Sequence, residues 1–377
     1  DGHHLGARTV TLSIESMAHG GEGVGREGGK VWFVDGAVAG DMVRFSVTEE
    51  RARFGRGMVT EVVEPSSVRI RPPCLFFGSC GGCQWQMAGR SIQVGWKTET
   101  VRGQLAHVGG LQVEILPPLM PGPDFGYRNR LDLVIVGGRP AMRRRGSHEP
   151  VEISSCLLAA PSLADALAGL GTIDADRVTL RTGINTGEMM VLVDDQHGVI
   201  HEVVGGRRFR ISDRAFFQNN TAGAEALVEV VSAAAGVSLG EVMVDAYAGG
   251  GLFAGCVTDA DDHVIAIESD PVACSDLEHN VPWAEVRRGS AERGLARLDR
   301  ADVIVVDPPR TGLGRAVVAE IVRLAPRRLI AVSCDPATFA RDARTLVGAG
   351  FTLDWVQPID LFPQTFHIET VASFTGP

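Results

Sequence analysis

Three side chains in the C-terminal third of this sequence are of the types that covalent chemistry uses. Cys334 follows the apolar run Ile330-Ala331-Val332-Ser333 and precedes Asp335-Pro336, an N-cap residue and a residue suited to the first helical position. A helix that starts immediately after a thiol favours the thiolate, its reactive form. Glu369 closes the stretch Asp360-Leu361-Phe362-Pro363-Gln364-Thr365-Phe366-His367-Ile368-Glu369, and is a candidate proton acceptor. Asp307 ends the apolar run Val303–Val306, and the two prolines after it deny the chain a helical continuation and hold the carboxylate at a strand tip. Arg310 follows those prolines, where methyltransferases of exocyclic amines usually carry an aromatic residue, so amine methylation is disfavoured.

A second constellation could hold a cofactor. Asp245-Ala246-Tyr247-Ala248-Gly249-Gly250-Gly251 reads as a strand ending in an acid, then a glycine turn that lets the backbone approach a ligand. It is not Gly-x-Gly-x-x-Gly, and no Lys-Ser/Thr follows, so the dinucleotide and phosphate-loop readings weaken. Glu268 ends the next strand about 20 residues on, where a carboxylate can take both ribose hydroxyls of an adenosine. Adenosine without a phosphate cradle points to S-adenosylmethionine. A thiolate, a base and a methyl donor suit methylation of a pyrimidine C5, which is not nucleophilic by itself. Addition of the thiolate to C6 activates C5, a base then removes the C5 proton, and the thiolate leaves.

The seven cysteines divide unevenly. Cys74-x5-Cys80-x2-Cys83, with Cys156 much further on, is a metal-ligand set, and the odd number speaks against a disulfide framework. Spacing alone leaves a structural zinc and an iron–sulfur cluster nearly tied. Cys256 and Cys274 read as core residues.

The elements that must position these groups fall into three segments. Residues 9 to 64 are short strands broken by glycine (Thr9–Ile14, Val31–Val34, Met42–Thr48, Gly57–Val63), which suggests a small barrel of the oligonucleotide-binding type over residues 1–65. Residues 66–205 alternate short apolar segments with turns, an α+β pattern. From 206 to 377, strands at Val242–Asp245, Val264–Glu268, Val303–Asp307, Leu329–Ser333 and Phe351–Ile359 alternate with helices over 221–235, 271–280, 314–324 and 336–348. The alternation predicts an α/β domain, doubly wound around a mostly parallel sheet, with ligands at the carboxyl ends of the strands.

Two stretches carry a family resemblance. His19-Gly20-Gly21-Glu22-Gly23-Val24-Gly25-Arg26, Phe33-Val34-Asp35-Gly36 and Ala39-Gly40-Asp41 resemble a TRAM domain, an RNA-binding barrel attached to RNA-modifying enzymes. Asp307-Pro308-Pro309-Arg310-Thr311-Gly312, then Leu329 to Thr338 with Ser333-Cys334, then Asp360-x-Phe-Pro-x-Thr-x-His-x-Glu369 closely resemble the RNA uracil-5-methyltransferases. The resemblance implies a Rossmann-like methyltransferase domain, with Cys334 as nucleophile, Glu369 as base and Asp307 contacting cofactor or target base. It implies that Gln218, in Phe216-Phe217-Gln218-Asn219, and Tyr247, Glu268 and Ser290 contact S-adenosylmethionine. It also implies that Cys74, Cys80, Cys83 and Cys156 bind a 4Fe-4S cluster in a central iron–sulfur domain, and that about 87–118 packs with the catalytic domain. Ala331, Asp335 and Leu252 depart from the residues usual at their positions, a tyrosine and two asparagines.

Composition bounds the partners. A 45% hydrophobic and 22% charged chain of 377 residues is an ordinary soluble balance, too long for one core. No apolar run reaches the ~18 residues that span a bilayer, and Asp1–Arg8 lacks the apolar core of a signal peptide, so a cytoplasmic monomer is expected. The net charge of -10 argues against a polyanionic partner until it is split by segment. From 245 to 306 twelve acids face five arginines, whereas between 124 and 150 six arginines, Arg143-Arg144-Arg145 among them, face three acids. RNA is therefore the expected partner, ribosomal RNA before tRNA by family analogy. A target uracil inside folded RNA must be splayed out before Cys334 can reach C6. The rivals are a non-catalytic RNA-binding protein, against which the intact Cys334 and Glu369 pair speaks, and an iron–sulfur redox enzyme, for which no radical-type Cys-x3-Cys-x2-Cys run is present.

Overall fold

The computed structural model describes residues 8–377. The reading of Asp1–Arg8 as lacking the core of a signal peptide therefore lies, Arg8 apart, outside the described residues. The chain divides into two compact units: residues 1–100, 142–151 and 362–367, and residues 101–141, 152–361 and 368–377.

The first unit is built on six strands, Thr9–Ser13, Ser16–Met17, Gly23–Glu27, Lys30–Asp35, Met42–Glu50 and Phe54–Glu64, joined in one sheet. Period-2 alternation turns Val10 and Leu12 inward and leaves their neighbours exposed. Val10, Leu12, Ile14, Trp32, Val34, Val43 and Phe45 form the core, with the Trp32 and Phe45 ring centroids 5.3 Å apart. Space there demands glycine: a Cβ at Gly57 would stand 2.2 Å from the Phe45 ring and one at Gly55 2.2 Å from Trp32. Asp41, fully buried, accepts from Val38 N (2.7 Å), Ser66 N (2.8 Å) and Arg69 Nη2 (2.7 Å), which bolts the barrel to the segment that follows it. Arg145 donates to Asp35 and to the Gly20 carbonyl, and Arg144 to Glu149 at 2.8 Å. Two arginines of the basic run are thus engaged within the unit. Segment 362–367 is gripped by helix residues: the fully buried Lys97 donates to Phe362 O at 3.0 Å, while Gln93 accepts from Gln364 N at 2.9 Å and donates to its Oε1 at 2.9 Å.

The second unit holds an eight-stranded sheet. Glu285–Arg288, His263–Glu268, Val242–Ala246, Val303–Val306 and Arg328–Ser333 lie parallel in that order. Glu369–Thr375 then pairs antiparallel with Arg328–Ser333, Thr352–Ile359 antiparallel with Glu369–Thr375, and Glu114–Ile115 parallel with Thr352–Ile359. Val303–Val306 is fully buried along its length, as a strand covered on both faces must be. Thr221–Ala235, Pro271–Asn280, Gly314–Leu324 and Pro336–Gly348 are helices with the expected bounds. Three of them begin at side-chain caps: Asn220, Asp270 and Asp335 each accept a backbone N–H from the first turn. The terminal antiparallel strand Glu369–Thr375 was not expected from the alternation. A smaller sheet pairs Arg177–Thr182 with both Arg130–Val136 and Met189–Val193. No helix among the described residues is long and apolar enough to cross a membrane.

Strand order reverses between Val242–Ala246, whose successors run outward to Glu285–Arg288, and Val303–Val306, which lies parallel on its other side. A crevice at the carboxyl ends of these two strands is where an open α/β sheet binds its ligand.

Candidate active site

Strand register brings Cys334 and Glu369 to the same end of the sheet. Arg328–Ser333 and Glu369–Thr375 pair antiparallel up to Ser333 opposite Thr370, so Cys334 and Glu369 are the residues that adjoin the end of the ladder. Thr370 Oγ1 donates to Ser333 O at 3.2 Å and ties the end of the ladder. On the other flank, Val306 pairs with Ala331, which places Asp307 at the same sheet edge.

Burial and like charge dominate the electrostatics. Glu369 is 6% exposed, and burial, then the Asp307 charge, holds its carboxyl well above the usual range, with Arg310 opposing. Burial pushes Asp307 up to about 7. The Cys334 thiol is half-buried and pushed up to about 11, first by burial and then by the charges of Glu369 and Asp307, again with Arg310 opposing. This corrects the expectation of a thiolate. The helix does begin after Cys334, but its free N–H groups are already taken: Asp335 accepts from Ala337 N at 3.0 Å and Thr338 N at 2.8 Å. Desolvation and two carboxyl groups outweigh what dipole is left.

The glycine turn lies beside this group. Asp245 is fully buried and raised to about 7, by burial first, although it accepts Ala254 N at 2.8 Å; the Asp307 and Glu268 charges add to the rise. Tyr247 takes a φ of +68°, which a side chain seldom adopts, and is half-buried. Glu268 accepts backbone N–H from Gly249 (2.8 Å), Ser269 (2.6 Å) and Asp270 (2.7 Å), so it braces the turn. Ser290 is exposed one strand further out, just after Gly289, whose N–H donates to Glu268 O at 2.7 Å, and its hydroxyl caps the helix Ala291–Leu295. Gln218 is buried in the loop before helix Thr221–Ala235. Asn129 Nδ2 donates to its carbonyl at 3.1 Å, and Asn220 Nδ2 donates to Leu361 O at 2.8 Å. Leu252 is buried at the start of helix Leu252–Val257, and Ala331 is buried within its strand.

Sequence reasoning missed two contributors. Asn129 pins the Gln218 loop across the fold, which no local pattern announces. Asp342 is charged among the inward residues Phe339, Ala340, Ala343 and Leu346 of an amphipathic helix, and that misplacement was the available signal.

The cysteines expected to hold a cluster are half-buried and are joined by no disulfide. Gly82 N donates to Cys80 Sγ at 3.4 Å. Cys74, Cys80 and Cys83 belong to the first unit and Cys156 to the second. Among the described residues no group of three or more His, Cys, Asp or Glu is arranged to hold a metal ion.

The fold and the site together define an S-adenosylmethionine-type methyltransferase: a doubly wound sheet whose switch point carries a braced glycine turn, with a cysteine and buried acids at the same edge. Residues 290–374 match the tRNA (Uracil-5-)-methyltransferase family and residues 7–60 the TRAM domain. An uncharacterized RNA methyltransferase of Thermosynechococcus vestitus is 33% identical over 97% of this chain and 98% of its own. One from Streptomyces coelicolor is 33% identical over 96% of this chain and 91% of its own. The solved Pyrococcus abyssi tRNA (uracil-54, C5)-methyltransferase, in complex with S-adenosyl-L-homocysteine, shares the fold with a TM-score of 0.78 at 24% identity, covering 99% of this chain and 100% of that one. The chain belongs to the RNA (uracil-5-)-methyltransferase family, with an N-terminal TRAM domain.

Proposed function

We propose that this enzyme methylates uracil C5 in RNA through a covalent bond between Cys334 Sγ and C6. The observation that carries the reading is the strand pairing that ends at Ser333 and Thr370, next to Cys334 and Glu369, with Asp307 following the strand on the other flank. Cys334 must lose its proton as it adds, and a neighbouring acid raised to about 7, Asp307, is matched to receive it. The S–C6 bond forms and the C5=C6 electrons turn C5 into the attacking carbon. When bound, S-adenosylmethionine supplies the electrophilic methyl group. Glu369, a strong base once ionised because its proton affinity is raised, takes the C5 proton; the C5=C6 bond re-forms and Cys334 leaves. Gln218, Tyr247, Glu268, Ser290 and Asp307 are the residues this reading assigns to the methyl donor. Splitting the chain at residues 65 and 205 gives the barrel, a central segment and the catalytic domain their separate roles.

Our reading puts ribosomal RNA first; a tRNA substrate is the second reading, favoured by the family matched over residues 290–374. Mapping 5-methyluridine in a deletion strain decides between them. Loss from ribosomal RNA is expected, loss from tRNA alone would transfer the assignment, and loss from neither would overturn the function.

The cluster reading rests on the sequence set Cys74, Cys80, Cys83 and Cys156 and on the soft thiol donors. No step above passes through it. Anaerobic purification should give a brown protein with about four irons; a colourless protein holding zinc would reject the cluster.

A further inference from the structure

The loop after Asp307 has little of its own to hold it, because Pro308 and Pro309 have no N–H to donate. Gly312 N donates to Pro309 O at 2.8 Å and closes a turn, with Gly312 at φ +78°. The rest of the grip comes from helix Pro336–Gly348. Asp342, 6% exposed, accepts Leu313 N at 2.7 Å through Oδ2, while its Oδ1 accepts Arg341 Nε at 3.0 Å and Nη2 at 2.9 Å. Arg341 Nη2 also donates to Thr311 O at 2.8 Å. A Cβ at Gly312 would lie 2.3 Å from Asp342 Oδ2 and 2.6 Å from Arg341 Nη2, so the two surfaces touch closely. The same helix begins directly after Cys334. One helix therefore carries the nucleophile at its start and, two turns later, clamps the loop that holds Asp307 and Arg310.

We propose that Asp342, with Arg341, is a positioning residue for RNA methylation: it sets the Asp307-Pro308-Pro309-Arg310 loop against Cys334. This rests on Cys334 being the nucleophile. Three charged groups bear on the thiol: Glu369 and Asp307 raise its proton affinity, and Arg310, on the clamped loop, lowers it. Losing the clamp at Thr311 and Leu313 frees Arg310 beside them, while Asp307 stays tied to the sheet through its N–H to Ala246 O at 3.4 Å, so the thiol is left facing the two acids.

The test uses the full chain and two readouts. Asp342→Ala removes the clamp. Asp342→Asn keeps an acceptor for Leu313 N but drops the charge paired with Arg341, and Arg341→Gln, at an exposed position, guards against a misfolded variant. Alkylation of Cys334 by iodoacetamide, followed by peptide mass spectrometry from pH 7 to 10, should slow about tenfold at a given pH, the equivalent of one pKa unit. Methylation should lose kcat on the order of 10²-fold, as misplacement of a reacting group does, with KM for RNA within about threefold. Wild-type alkylation profiles in all folded variants would overturn the proposal, whether or not RNA is turned over. Normal profiles in Arg341→Gln and Asp342→Asn would do so even if Asp342→Ala failed to fold. The alkylation arm requires no RNA, so its failure is distinct from that of the functional reading, which falls if Cys334→Ala still methylates.

Discussion

Replacing Cys334 with alanine is expected to abolish methyl transfer to RNA and covalent capture of RNA together, with a loss of kcat on the order of 10⁴-fold or more. The size follows from the chemistry: without a bond at C6 the uracil C5 has no electrons to offer a methyl donor, and no other residue near the strand end is a comparable nucleophile. Cys274 is buried, and Cys256 is pushed up to about 12 by burial with its thiol donating to Val204 O at 3.5 Å. The wild-type thiol should itself show its proton affinity. Because burial and two acids raise it to about 11, its alkylation rate should climb about tenfold per pH unit through neutrality and level off only near 11. Single-turnover assays on purified RNA check the first outcome, and 5-methyluridine formed by Cys334→Ala would refute the covalent mechanism.

Glu369→Gln should behave differently, trapping the enzyme on its RNA. Glutamine has the shape of the carboxyl group, so adduct formation and one methyl transfer proceed, but no base is left to remove the C5 proton. Elimination should slow by roughly 10²–10⁴-fold, the range a positioned base contributes, and a denaturant-resistant protein–RNA band should accumulate. Product release at the wild-type rate would contradict the role. The same variant has a stability signature. A carboxyl whose folded proton affinity is raised well above 4.5 destabilises the fold increasingly as pH rises from the unfolded value toward the folded one. Glutamine removes that loss, so the variant should melt higher than wild type at pH 8, and the gain should vanish near pH 4.

Much of the catalytic domain was legible residue by residue. Helices over 221–235, 271–280, 314–324 and 336–348 were readable because caps such as Asn220, Asp270 and Asp335 and apolar periodicity are local signals. The strand tips at Asp245, Glu268 and Asp307 followed from apolar runs ending in acids. The strand Glu369–Thr375 was hidden, since a short run after a polar loop looks the same whether or not a partner strand awaits it. The basic run at Arg143-Arg144-Arg145 read as a docking surface, yet two of its arginines hold Asp35 and Glu149, because a charge's nearest partner is set by the fold.

By itself, the sequence determined the chemical inventory: one cysteine at a helix start, one carboxylate at the end of a polar loop, a glycine turn and the acids on either side. Only the tertiary structure decided their states and pairings. Whether Cys334 is a thiol or a thiolate depends on burial and on acids from two other strands, and the pairing that brings Glu369 near it depends on an antiparallel strand added to a parallel sheet. The Asp342 clamp on the Asp307 loop is of the same kind. Caps and periodicity act between near neighbours in the chain, whereas desolvation and charge coupling sum over residues that only folding brings together.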